Sequence, residues 1–147
     1  MEVIKISSEF VMKIADLEFF QGDTDTISFN FSRDDGTSIP LSGIDVLFTL
    51  CPYGKFQDES VLTKKMLIDE EDNTLCFVQL TADDTKNLDY GKYLYQPILV
   101  YSDIFEGKER IREYRRAEGT IVFRPRIKYD SSVLGYQTEN MANFHFI

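Results

Sequence analysis

The sequence has no tryptophan, a single histidine and only two cysteines, and each scarcity closes off a class of function. A catalytic or metal-bound imidazole needs partners to orient it, and His145 has neither a second His nor a nearby Cys in the sequence. A serine-hydrolase triad would need that same residue as its base. A glycosidase needs only two carboxylates, which 25 acidic residues always offer, but no Trp is present to line a sugar cleft. Cys51 and Cys76 are too few for a disulfide framework and read as small core residues of a protein made in a reducing cytoplasm. No apolar run approaches the roughly 18 residues of a membrane span, and Met1 to Ser8 lacks the basic-then-apolar order of a secretory signal. A glycine-rich phosphate loop is missing too. The acidic run Asp69, Glu70, Glu71, Asp72, Asn73 lacks the alternating ligands and the glycine of a calcium loop and reads as a solvated turn. The expectation is a chain without catalytic residues, cofactor or metal, and without a membrane partner.

Charge is scarce in one sign. The formal net charge is −9, which argues against a nucleic-acid partner, since that needs phosphate-neutralising cations. The basic residues are also concentrated. Residues 105–128 hold eight Lys/Arg against four Glu, a local balance of +4 that leaves −13 on the remainder. An acidic body with one basic strip suits contacts between copies, or docking on an acidic partner.

What the chain does have is aromatic residues, twelve Phe and eight Tyr, which favour a pleated, half-buried surface. Over residues 26–32, Ile27, Phe29 and Phe31 alternate with Thr26, Ser28, Asn30 and Ser32, the period of a strand with one buried face. Residues 44–51 repeat the pattern through Val46, Phe48 and Leu50. Further strands are expected at 61–68, 75–80, 92–101, 109–116 and 120–123, with one or two edge strands between Val3 and Ala15. Pro97 inside the apolar run 92–101 implies a bulge or an edge position. Between the fourth and fifth of these, Thr81 and Asp84 have the spacing of an N-cap and its third helical position, which predicts one short helical turn. The strand 109–116 reads as having almost no apolar face, with Arg110, Arg112, Tyr114 and Arg116 on one side. Short strands with turn signals every 8–15 residues describe an all-β sandwich. Ile27, Phe29, Phe31, Val46, Phe48, Leu80, Tyr93 and Val122 are expected to point between its sheets.

Several stretches taken in order carry a resemblance: Phe20-Gln21-Gly22-Asp23-Thr24, Asp35-Gly36-Thr37, Leu41-Ser42-Gly43, Val46-Leu47-Phe48-Thr49, Pro52 with Gly54, Leu80-Thr81-Ala82-Asp83-Asp84-Thr85, and Gly91-Lys92-Tyr93. Together, across residues 17–127, they resemble the immunoglobulin-like N-terminal domain of phage baseplate upper proteins and related small tail- or head-associated phage proteins. The resemblance implies an immunoglobulin-like antiparallel β-sandwich over residues 1–128 and a structural, non-enzymatic role in the virion. Its partners would be other phage structural proteins and copies of the same chain. In the baseplate relatives a long segment carrying a receptor-binding protein follows this domain. Here about twenty residues follow it, which favours an adaptor, collar, baseplate or decoration subunit. The competing reading is a carbohydrate- or receptor-binding module that displays the loop aromatics Tyr53, Phe56 and Tyr90.

Residues 129–147 are rich in apolar anchors, including Tyr136, Phe144, Phe146 and Ile147, but have no strand period. A free tail is normally polar. This one either packs on its own domain or docks on a neighbour, and the lack of period favours an extended assembly arm. Deleting 130–147 is therefore expected to leave the melting temperature nearly unchanged and to abolish incorporation into particles. A truncated chain that melts many degrees lower in calorimetry would place the tail in the domain's own core.

Overall fold

Alternation of large apolar and small polar side chains writes the two inner faces of the molecule. The computed structural model describes residues 3–7, 12–33, 35–54, 60–115, 117–125 and 130–134. Their strands, in chain order, are β1 (Val3–Ser7), β2 (Met12–Lys13), β3 (Leu17–Phe20), β4 (Asp25–Ser32), β5 (Asp45–Pro52), β6 (Leu62–Lys65), β7 (Leu67–Ile68), β8 (Leu75–Leu80), β9 (Gly91–Phe105), β10 (Lys108–Tyr114) and β11 (Ala117–Arg124). One sheet has the order β1-β4-β8-β7; the other runs β2-β11-β9-β5-β6, with β3 also on β11 and β10 also on β9. The two sheets face each other as a β-sandwich of immunoglobulin-like type. Interior pairings are antiparallel, whereas the N-terminal edge strands pair parallel: β1 with β4, and β2 and β3 with β11. The chain thus starts on one sheet and crosses to the other before β4. It crosses again at the buried Met66, where the expected strand 61–68 divides into β6 on one sheet and β7 on the other.

The core lies between the inner faces. Ile27, Phe29, Phe31, Val46, Phe48, Leu80 and Tyr93 are all buried there, as their strand periods require. Tyr95, with 0% exposure, sits at the centre, its ring stacked on Phe48 at 5.8 Å between centroids and tilted against Phe29 at 6.2 Å. Such pairs add about 0.5–1.5 kcal/mol to the area they bury. The ring then passes over Gly119 on the neighbouring strand, and its hydroxyl donates to the Ala15 carbonyl in the link between β2 and β3. A Cβ built on Gly119 would lie 2.5 Å from the ring. Glycine is needed here for clearance.

The expected core position Val122 is wrong, and the reason is a bulge. β10 and β11 both pair with β9 on the same side, one after the other. From Tyr114↔Leu99 to Gly119↔Tyr95 the chain advances five residues on the returning side and four on β9. One extra residue is the signature of a β-bulge, and it reverses which residues face inward. Before it Tyr114 turns inward; after it Ala117, Ile121 and Phe123 are buried and Val122 is only half-buried. Pro97 lies opposite this step. The Tyr53 N–H donates to the Lys92 carbonyl, which makes Phe48↔Pro97 a non-hydrogen-bonded pair. The Pro97 nitrogen therefore points away from β5 and into the gap between the two registers, where no N–H is required.

The turn at residues 81–85 has the geometry its sequence predicts. Thr81 is the N-cap of a one-turn helix, α1 (Ala82–Thr85); its hydroxyl accepts from the Asp84 N–H, while Asp84 accepts from the Thr81 N–H at 2.8 Å. Two motifs distant in sequence meet at this corner. The Gln21 amide donates to the carbonyls of Thr85 at 2.7 Å and Leu88 at 3.1 Å. Nearby, the Tyr93 hydroxyl donates to the Asp89 carbonyl at 2.8 Å, the arrangement of a tyrosine corner at the start of a sandwich strand.

No disulfide links the two cysteines. Cys76 is buried between the sheets, where desolvation pushes its thiol up to about 12, while Cys51 is half-buried on the other sheet. Gly119→Ala is expected to destabilise the fold by about 1–3 kcal/mol through overpacking against Tyr95, read as a lower midpoint in urea. An unchanged midpoint would mean that the ring does not cross there.

Candidate functional site: a projecting ribbon

β9 is longer than the sheet that holds it. Its pairing with β5 ends at Asp45↔Val100, and its pairing with β11 ends at Tyr95. Beyond Val100, residues 101–105 pair only with 108–112 of β10. The two strands are joined through Glu106, at φ 51°, and Gly107, at φ 76°. Two successive positive φ values make the two-residue type I′ turn whose twist suits a hairpin. The result is a two-stranded ribbon that leaves the end of the sandwich.

Cross-strand register sorts its side chains onto two faces. The inner face, continuous with the core, carries Tyr101, Asp103 and Phe105 from β9 and Lys108, Arg110, Arg112 and Tyr114 from β10. Asp103 organises it. Arg110 binds both of its oxygens, Nε to Oδ1 at 2.6 Å and Nη2 to Oδ2 at 3.1 Å, and Arg112 Nη1 approaches Oδ2 at 3.4 Å. The Arg110 guanidinium also lies 4.3 Å over the Phe105 ring, an arrangement worth about 0.5–1 kcal/mol at an exposed site. One carboxylate against three cations leaves this face basic. At the base of the ribbon, Tyr101 and Tyr114 line an apolar recess of about 200 Å³ with Ile39, Ile44 and Leu99. Tyr114 packs on the core there and fastens the ribbon to the domain.

The outer face carries Val100, Ser102 and Ile104 opposite Glu113, Ile111 and Glu109. Ile104 is 77% and Ile111 69% exposed, and they lie diagonally across the ladder from each other. β10 itself thus has almost no apolar face, as read from its sequence, and the second isoleucine beside Ile111 comes from β9. Ile104 stands before the turn, outside the strands read from sequence, so its pairing with β10 was not visible. The signal that could have found it is Phe105-Glu106-Gly107-Lys108, a Gly-containing two-residue turn between two extended runs.

The sequence-predicted interface residues fall into two groups. Arg110 and Arg112 come together on Asp103, with Tyr114 at the ribbon's base. Arg116, Tyr136, Phe144, Phe146 and Ile147 lie outside the described residues, as do His145 and Phe56. In the described part of the C-terminal segment, a single 3₁₀ turn (Ser131–Leu134) leaves Val133 exposed. Of the loop aromatics, Tyr53 and Tyr90 are exposed, and Lys92 Nζ covers one face of the Tyr53 ring at 4.1 Å. In the acidic turn, Asp69 accepts from the N–H groups of Glu71 and Asp72, and Asp72 from Thr74. These carboxylates hold the turn itself.

No family model matches the sequence, and no curated protein is found similar to it. Among solved structures, the N-terminal domain of phage TP901-1 ORF48 is similar, with a TM-score of 0.56 and 10% sequence identity over 82% of this chain and 95% of that one. At that identity the likeness establishes the fold. The cysteine protease inhibitor EhICP2 from Entamoeba histolytica overlaps at a TM-score of 0.38 with 16% identity, over 83% of this chain and 95% of that one, too loosely to indicate shared architecture.

The hydrogen bonds from Arg110 hold the Asp103 carboxyl below its ordinary value of 3.8. A carboxyl with a depressed folded value contributes fully above its unfolded value and loses that contribution as the pH falls through the folded one. The ribbon's inner-face clamp is thus expected to persist down to pH 3.8 and to release below it. Carbon-13 NMR should give Asp103 a midpoint under 3.8, returning toward 3.8 in Arg110→Ser. A wild-type midpoint at or above 3.8 would place Arg110 elsewhere.

Proposed function

We propose that this chain is a structural, non-enzymatic protein of a bacteriophage particle, an adaptor, collar, baseplate or decoration subunit that works through protein–protein contacts. The ribbon is the observation that carries this reading. A two-stranded hairpin is marginal in water unless something completes it, and this one presents a basic inner face and two exposed isoleucines. Exposed β-ribbons of that kind are usually blunted or covered, which fits a protein whose working state is an assembly. The sandwich beneath it has the architecture of a phage protein domain, and the ordered motifs from Phe20 to Tyr93 lead to the same class. Two of those motifs meet at the corner where Gln21 binds the α1 turn, a structural use of residues that carry no substrate chemistry.

In this reading the sandwich is the scaffold and the ribbon the docking element, with an acidic surface on a neighbouring phage protein as its complement. The reading as a sugar-binding module is weaker, because Lys92 already occupies one face of Tyr53. Gold-conjugated antibody against the purified chain should label particles from the lysed host at a discrete position. The double variant Arg110→Ser, Arg112→Ser should keep the wild-type melt but incorporate several-fold less, with wild-type incorporation falling as salt rises. Particles free of the chain, or incorporation indifferent to both the double variant and salt, would overturn the proposal.

A further inference from the structure

We propose that the free edge of β10 accepts an added strand from a different protein. That strand would be an extended segment, acidic at the alternate residues that meet Arg110 and Arg112 and apolar at those that meet Ile111. The inference rests on the reading of the ribbon as the docking element and specifies how it docks and on what.

The hydrogen-bonding pattern identifies the edge. With a two-residue turn closing the hairpin, Phe105↔Lys108 is a hydrogen-bonded pair, and so are Asp103↔Arg110 and Tyr101↔Arg112. The even-numbered residues of β10 therefore direct their N–H and C=O groups at β9. Glu109, Ile111 and Glu113 direct theirs away from it, and among the described residues no strand and no side chain meets them. The end of β8 that extends beyond its short pairing with β7 is treated differently. There Lys64 Nζ donates to the Gln79 carbonyl at 2.7 Å and to Asp84 at 2.8 Å, placing a charged side chain where another strand would attach. One edge is guarded and, among the described residues, the other is open.

Side chains then decide the occupant. Lys108, Arg110 and Arg112 share one face of the ribbon, and Glu109, Ile111 and Glu113 the other. If two copies of this edge paired antiparallel with their hydrogen bonds formed, odd residues would face odd and even would face even. Every such register sets Arg or Lys against Arg or Lys, and glutamates against glutamates or isoleucine. Like charges directly opposite each other are destabilising, so a second copy of the ribbon is the wrong partner. A strand with carboxylates at alternate positions satisfies the Arg face, and apolar residues between them cover Ile111 and reach toward Ile104. Strand addition takes its affinity from main-chain bonds and its specificity from alternate side chains.

The test uses the full chain labelled with nitrogen-15 and a capped nine-residue peptide alternating Glu and Val. The amides of Glu109, Ile111 and Glu113 are expected to shift on titration, and a Lys–Val peptide is expected to bind about tenfold more weakly or worse, a difference of about 1.4 kcal/mol. Ile111→Pro removes only an outward N–H and should weaken the Glu–Val peptide by a similar factor. Because proline can distort the ribbon, a Glu–Val peptide N-methylated on the residues facing β10 provides the same test on the wild-type chain. The proposal is overturned by no binding at millimolar peptide, by equal binding of the Lys–Val or N-methylated peptide, or by self-association through these same amides. Those outcomes leave particle labelling untouched, whereas unlabelled particles with peptide binding intact would remove only the role in the particle.

Discussion

The crossing of Tyr95 over Gly119 is the constraint on which the two halves of the molecule agree. One side chain touches the centre of both sheets, through Phe29 and Phe48, and then reaches across the inner face of its own sheet, over Gly119, to the backbone at Ala15. The hydroxyl's hydrogen bond ties the link between β2 and β3 against β11, a net contribution of about 0.5–1.5 kcal/mol. Ring passage requires a residue with no side chain at position 119, and that fixes which residue of β11 stands opposite Tyr95. With Gly119 at that place, Ala117, Ile121 and Phe123 must be the inward residues. The register of the last strand follows from one aromatic ring.

The readable parts of the fold were those where local chemistry and tertiary demand coincide. The clean alternation through Ile27, Phe29 and Phe31 admits only one buried face, and the structure uses it. The Thr81–Asp84 box is a local hydrogen-bond exchange, complete within four residues, so nothing distant can reverse it. Val122 belongs to the other kind. Ile121, Val122 and Phe123 are apolar in succession, and a run like that does not choose a face. The choice is made by the bulge after Tyr114, whose evidence is a pairing register between segments far apart in sequence. The split of 61–68 at Met66 was hidden for the same reason, since an apolar residue in a strand looks alike whether the chain continues or changes sheets.

The ribbon was half legible. Its cations could be counted, and their alternation with Glu109, Ile111 and Glu113 placed them on one side. Asp103 could not be assigned to them, because its role depends on pairing across a turn that composition alone leaves open. Nor could the exposure of Ile104 and Ile111 be foreseen, since exposed and buried isoleucines are the same letter. Local residues say what a strand can do; its length relative to its neighbours says where it does it. β9 outruns β5 and β11 alike, and the ribbon exists because of that excess.

The extra residue between Tyr114 and Gly119 has a further consequence. It acts as a phase shifter between two parts of one hairpin, the ribbon and the packed interior. β9 runs unbroken from the interior into the ribbon and holds the Arg face on the inner side, so gaining or losing a single codon at that step would fall on β11 and turn Ile121 and Phe123 outward. The spacing at that step is therefore constrained by the interior, whereas the side chains of the ribbon can be exchanged without moving it.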